Sequence, residues 1–145
     1  MIPAANAPLD DVSGPAPAVP LAEPPLAKPV NALAIDTSSD VLSLALLREG
    51  ALAGAVYDAI GRRTTQEILP RLDALLRAAG LTPRDLDVLV VGRGPGSFTG
   101  TRIGMAVALT FAQVTGRPLL GVDTLRLLAA QTAPRPGTTC AVLLN

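Results

Sequence analysis

Histidine is absent from this chain of 145 residues. A Ser-His-Asp triad, a Cys-His pair and a zinc site of the His-Glu-x-x-His kind are thereby excluded, and only carboxylates, hydroxyls and amines remain for chemistry. Tryptophan is absent too, and there are only two phenylalanines and one tyrosine, although 49% of the residues are hydrophobic. The core must therefore be built from Leu, Val, Ile and Ala. The single cysteine, Cys140, permits no internal disulfide and fits a reducing compartment; it reads as a small core residue in a strand. Neither sign of charge is in excess, with twelve basic and twelve acidic side chains. That leaves no electrostatic basis for avid nucleic-acid binding by this chain alone. No stretch reaches the roughly 20 consecutive apolar residues that a membrane-spanning helix needs, and no internal repeat is visible.

What is present centres on Val88–Leu120. Val88 to Val91 is a short apolar run bounded by turn formers, as in a buried strand. Four glycines and a proline follow within Gly92 to Gly100, then a helical run from about Thr99 to Thr115 that stops at Gly116. With a second strand at Pro118–Val122 this makes a βαβ unit with a right-handed crossover. The helix is unusual. Ile103, Met105, Val107, Ala108, Leu109, Phe111, Ala112 and Val114 do not keep to one stripe. A helix apolar nearly all round must be covered on more than one side. A sheet covers only one, so the rest of the cover must come from another helix or another chain.

Met1–Pro29 holds eight of the fourteen prolines and lacks both a regular apolar period and the pattern of a secretory signal. It reads as a disordered, partly extended tail, or as the product of a start codon placed too far upstream. Strands are expected at Ala32–Ile35, Val41–Leu47 and Ala51–Tyr57, joined by short turns into an antiparallel meander. Asp58–Arg63 is a loop. Thr64-x-x-Glu67 has the spacing of a capping box, followed by a helix with Ile68, Leu69, Leu72, Leu75, Leu76 and Ala79 at helical spacing and Gly80 at its end. Pro70 should distort the first turn or push the start to Leu69. Thr82-Pro83-Arg84-Asp85-Leu86 signals one short helical turn. Asp123-Thr124 caps a short helix, Leu125–Gln131, and Pro134–Gly137 is a turn. A last strand is expected from Thr139 to Leu144, as in a truncated chain or a fold whose final strand lies at an edge. The order is that of an α/β domain with a mixed sheet.

Two stretches could carry chemistry. The glycine-rich turn resembles a phosphate cradle, but its spacing fits neither the Walker nor the dinucleotide pattern, and Ser97 is not in a nucleophile elbow. A structural turn that brings the helix start close to the sheet is the simpler reading. Arg93 and Arg102 flank it, placed to hold an anion or a partner carboxylate, or to stand solvated. Asp36-Thr37-Ser38-Ser39, at the end of the first strand, suits either a metal-bound phosphate or an ordinary turn in which Asp36 accepts backbone N–H groups. A small ATPase built on Asp36 is thus the alternative function. Asp58, Glu67, Asp73 and Asp123 are scattered, which gives no paired-carboxylate site. A peptidase would lack both metal ligands and a placed nucleophile.

Leu33-Ala-Ile-Asp-Thr-Ser38, Thr65-Gln-Glu-Ile-Leu-Pro70, Leu81 to Asp87, the run Gly92-Arg-Gly-Pro-Gly-Ser-Phe-Thr-Gly-Thr-Arg-Ile-Gly104, and Pro118-Leu-Leu-Gly-Val122 together resemble the bacterial TsaB (YeaZ) family. This family is the non-catalytic subunit of the complex that makes threonylcarbamoyladenosine in transfer RNA. The resemblance runs from about Ala32 to the C-terminus. It implies an actin-like ATPase (ribonuclease H-like) lobe, α/β, with a mixed five-stranded sheet. Residues 1–29 would be a tail and 30–145 the first lobe, with the second lobe largely absent. It implies no catalytic, cofactor or metal residues, a cytoplasmic location, and contact with transfer RNA only through the complex. The implied partners are the catalytic subunit TsaD, the ATPase subunit TsaE and, on the same surface, a second copy. That surface would lie on the helices Thr65–Ala79 and Thr101–Thr115, with Ile68, Leu72, Leu75, Leu76, Arg102, Ile103, Met105, Val107 and Phe111 as candidate contacts; the eight apolar ones read equally well as core, since periodicity does not separate the two roles. Three departures stand out. Ser38 replaces the phosphate-loop glycine of active fold members and should crowd a phosphate. Thr64 stands where many members have histidine. Members also usually continue past the equivalent of Asn145, and loss of that lobe should impair TsaE binding.

Overall fold

Leucines alternate with smaller residues through Val41–Leu47, and that period of two sets the sheet. In a computed structural model, which describes residues 28–59, 63–131 and 141–142, five strands form one sheet. They are β1 (Ala32–Asp36), β2 (Val41–Arg48), β3 (Ala51–Ala59), β4 (Val88–Gly92) and β5 (Leu119–Val122), in the order β3-β2-β1-β4-β5. β1, β2 and β3 are antiparallel neighbours, with Ile35 opposite Leu44 and Leu44 opposite Val56. β4 runs parallel to β1, and β5 parallel to β4. The expected meander and βαβ unit are both present.

One face of the sheet is buried under α1 (Thr64–Ala78) and α2 (Phe98–Thr115). Leu33, Ile35, Leu42, Leu44, Leu46, Leu89 and Val91 point into it, against Ile68, Leu72, Leu75 and Leu76 of α1 and Ala108 of α2. Each such side chain contributes about 1.5–3 kcal/mol by leaving water, and no aromatic ring is among these buried residues. On the opposite face, Leu127 and Ala130 of α3 (Thr124–Gln131) line a groove of about 490 Å³ with Ala34, Ala45 and Val90.

Three local expectations change. The capping box at Thr64 is not formed: Arg63 is the N-cap, without a side-chain cap bond, and Thr64 is already helical and buried. Glu67 faces Arg71 instead, at 3.3 Å. Pro70 neither distorts the start nor shifts it, because the helix begins six residues earlier and continues to Ala78. Pro70 and Gln66 lie on the exposed side, where water can satisfy the Gln66 carbonyl that the missing Pro70 N–H leaves free. β3 extends to Ala59, into the expected loop. By contrast, Thr82 and Asp85 do form a capping box, through bonds of 2.7 and 2.6 Å to the Asp85 carboxylate, over a one-turn 3-10 helix at Pro83–Asp85. Residues 1–27, the turn Pro134–Gly137 and Cys140 lie outside the described residues. Of the strand expected at Thr139–Leu144, only Ala141 and Val142 are described, and neither is in a strand.

Candidate docking face

The outer face of α2 is positioned by the turn on which its N-terminus rests. Ser97 caps the helix, its hydroxyl accepting from the Gly100 N–H at 3.1 Å while its carbonyl accepts from the Thr101 N–H at 2.9 Å. The turn after β1 is fastened to the same place. The buried Thr37 hydroxyl donates to the Gly100 carbonyl at 2.7 Å, and the Ser97 N–H donates to the Ser38 carbonyl at 2.6 Å. Approach is this close because side chains are missing. A Cβ on Gly100 would collide with the Thr37 carbonyl oxygen, and one on Gly104 with the Thr37 hydroxyl. The glycine run therefore seats a helix on a strand end, as the structural reading of its spacing expects.

The Asp36 turn is occupied by the chain itself. One Asp36 carboxylate oxygen accepts from the Ser38 N–H at 2.8 Å, and it lies 2.5 Å from where a Cβ on Gly92 would stand. Ser38 is buried beneath the glycine-rich loop. This is the ordinary-turn arrangement of Asp36. Beside it, a cavity of about 400 Å³ is lined by the hydroxyl residues Ser39, Thr64, Thr65, Ser97 and Thr99, together with Asp40, Gly100 and Ile103. Among the described residues, no three of His, Cys, Asp and Glu cluster as metal ligands.

Arg93 is not free for an outside anion. Its guanidinium forms two bonds, 2.8 and 3.1 Å, to Asp123 at the end of β5. This pair ties the glycine loop to the start of α3. The hydrogen bond from Arg93 holds the Asp123 carboxyl below its ordinary range. A carboxylate favoured by the fold in this way stabilises it at neutral pH, and its contribution is lost as the pH falls through the depressed pKa. Urea midpoints measured from pH 7 down to pH 3 should therefore fall less steeply below about pH 4 in Asp123→Asn than in the natural sequence. Parallel curves would show that the pair is not coupled to folding.

α2 divides into two faces. Gly100, Gly104 and Ala108, spaced by four, are its buried residues, and Ile103, Val107, Phe111 and Ala112 are half-buried against the core. On the outer side Phe98, Met105 and Leu109 are 70%, 37% and 46% exposed, and Arg102 lies in line with them. The Arg102 guanidinium sits over the Phe98 ring, 3.7 Å from its centroid. α1 adds Leu69 at 52% exposure, and a groove of about 180 Å³ runs between Leu69 and Ala106, Val107, Thr110 and Phe111. A second groove, of about 130 Å³, lies between Pro83 and Thr110, Phe111, Val114 and Thr115.

The nine expected contact residues separate accordingly. Ile68, Leu72, Leu75 and Leu76 do not belong to an outer face: none is more than 8% exposed, because this chain's own sheet covers them. Ile103, Val107 and Phe111 share themselves between core and surface, while Arg102 and Met105 face outward. Phe98, Leu109, Val114 and Leu69 are exposed and were not among the nine. The signal for them was the spacing of Gly100, Gly104 and Ala108. Small residues, rather than large ones, marked the side of α2 pressed against the sheet.

Comparison with known proteins agrees with this fold. A family model for tRNA N6-adenosine threonylcarbamoyltransferase (TsaD) matches residues 52–144. The tRNA threonylcarbamoyladenosine biosynthesis protein TsaB of Escherichia coli (strain K12) is 39% identical over 107 residues, 74% of this chain and 46% of that protein. The protein of the same name from Bacillus subtilis (strain 168) is 39% identical over 98 residues, 68% of this chain and 43% of its own length. Among solved structures, YeaZ from Pseudomonas aeruginosa superposes with a TM-score of 0.69 at 40% identity, over 71% of this chain and 48% of that one. The chain spans about half the length of the relatives it matches. The five-stranded sheet with its helices is thus the actin-like ATPase, ribonuclease H-like domain.

Proposed function

This chain belongs to the TsaB (YeaZ) family, and on that premise we propose that it is a non-catalytic subunit of the complex that makes threonylcarbamoyladenosine in transfer RNA. It docks through the outer face of α2 onto the catalytic subunit TsaD and supports transfer of the threonylcarbamoyl group to the adenosine beside the anticodon. The ATPase subunit TsaE joins the assembly, transfer RNA is met only through the complex, and the setting is the cytoplasm. The observation that carries this reading is the row of Phe98, Met105 and Leu109 left uncovered on α2, since contiguous exposed apolar surface on a folded domain marks an interaction site. Two facts support the non-catalytic part. The sequence holds no histidine to bind a metal. The Asp36 carboxylate also accepts from Ser38 within its own turn, and the Ser38 carbonyl holds the glycine loop. Among the described residues no helix is long and apolar enough to cross a membrane.

Light scattering of the chain alone and mixed with TsaD from the same organism tests the proposal. A one-to-one complex is the expected result. A chain that elutes unchanged beside TsaD at tens of micromolar overturns it.

A further inference from the structure

The side of the sheet away from α1 and α2 is only partly covered. Leu33, Ile35, Leu42, Leu44 and Leu46 point toward the helices, so the residues between them point the other way. Val90, Ala34, Ala45 and Ala55 run across that outer side, opposite one another in register. α3, eight residues long, borders it through Leu127 and Ala130. The β3 margin stays open, and Leu52 and Tyr57 stand on it, 66% and 78% exposed. Strict alternation would put these two on opposite sides of the sheet. A register shift between Leu46 and Leu47 leaves Ala53 without an opposite residue. Leu52 therefore faces Leu47 and comes to the same side as Tyr57, which faces Ser43.

β3 is also a free edge of the sheet. It contains neither proline nor lysine, two of the devices that keep an edge from meeting another chain. Its one charge, Asp58, is held by Arg71 at 2.7 Å.

The part of the chain that precedes the described residues is tethered beside this margin. Gly50, in the turn that leads into β3, donates its N–H to the Val30 carbonyl at 2.9 Å. The Pro29 Cα is 3.9 Å from where a Cβ on Gly50 would stand. Upstream, the sequence has no helical or strand period, but counted in threes it has an apolar edge. Val12, Pro15, Ala18, Leu21, Pro24 and Ala27 lead to the half-buried Val30. Three residues per turn is the period of a polyproline II helix. Pro24 and Pro25 fall in both phases of a strand, which rules out a regular ladder with β3. The lengths agree. Tyr57 stands about 20 Å along β3 from Ala51, and an extended polyproline segment from Lys28 back to Leu21 covers about 20 Å as well.

We propose that residues 21–27 run back along the outer side of the β3 margin, with Leu21 on the Tyr57 ring and Pro24 and Ala27 toward Leu52. Proline-rich segments dock on aromatic surfaces in this way, and the tether at Gly50 gives this one an advantage in effective concentration over any free partner. The segment is an intramolecular strap that withholds an apolar sheet margin from other chains. This reading is independent of the α2 docking face.

Tyr57 is the sole tyrosine and tryptophan is absent, so tyrosine emission reports this ring alone. Acrylamide quenching is measured on the full chain, on a chain starting at Lys28 and on Leu21→Asp, each at low and at high protein concentration. Circular dichroism checks the fold, and Leu21→Asp keeps the test valid should the shortened chain fail to fold. The quenching constant should be about twofold higher in both variants than in the full chain, because a segment seated on the ring shields one of its faces. Equal quenching in the full chain and Leu21→Asp overturns the proposal. Protection that appears only at high concentration makes a second copy the cover, and protection that survives both changes makes it another part of this chain; either result overturns the strap.

Discussion

Gly100→Ala is expected to lower the free energy of unfolding by about 3 kcal/mol, a large effect for adding one methyl group. Helix propensity alone favours alanine over glycine inside a helix by about 1 kcal/mol, so the sign of the result separates the two influences. The new Cβ would meet the Thr37 carbonyl oxygen. That oxygen is backbone at the end of β1, and the Thr37 hydroxyl is bonded to the carbonyl of Gly100 itself. Neither partner can retreat without moving a strand end or lifting the helix. Gly54→Ala provides the contrast. Its Cβ meets the tip of the Leu75 side chain at 2.8 Å, and a flexible side chain can rotate away, so the loss should be under about 1 kcal/mol. Urea titrations followed by circular dichroism measure both. If Gly100→Ala unfolds at the same midpoint as the natural chain, the close seating of α2 on the turn after β1 is not what holds the helix in place.

The second large effect concerns association rather than folding. Leu109→Glu should reduce binding to TsaD by about 100-fold, because a carboxylate at the centre of an apolar contact must be desolvated without a partner. Its thermal midpoint should stay close to that of the natural chain, since Leu109 is 46% exposed in the isolated fold. Leu72→Ala should behave in the opposite way. Leu72 is buried between α1 and the sheet, so its truncation costs about 2–5 kcal/mol of stability and changes affinity only through loss of folded protein. Equal losses of affinity from the two variants, with neither destabilised, would show that α1's inner residues reach the partner and that the division of faces drawn here is wrong.

α1 shows how far periodicity reaches. Ile68, Leu72, Leu75 and Leu76 keep to one stripe, while Glu67, Arg71, Asp73 and Arg77 occupy the others. A single stripe of this kind is the ordinary mark of a helix lying on a sheet, and those four residues are indeed spent there. Assigning them to a partner also asked them to do a second task for which they had no free surface. In α2 the same logic failed for a different reason. Large apolar residues surround the helix, so hydropathy gave no direction. Gly100, Gly104 and Ala108 became the inner face only because Thr37 and Ile35 lie where side chains would otherwise be. The Thr64 capping box failed similarly: its spacing was right, but burial of Thr64 and the attraction of Arg71 for Glu67 settled the helix start one residue earlier.

The residues alone determined the five strands of the sheet, the antiparallel meander, the βαβ crossover, the absence of histidine chemistry and the membership suggested by the glycine run. These follow from local periods, turn formers and composition, which need no knowledge of distant contacts. Tertiary structure decided which side of α2 faces outward, that Arg93 belongs to Asp123, and that Arg102 is left unmatched by any described carboxylate. Each depends on groups far apart in the chain meeting in space: Thr37 against Gly100, and Arg93 against Asp123. A helix apolar on all sides carries no internal record of which side its own chain will cover, and that is what the sheet supplied.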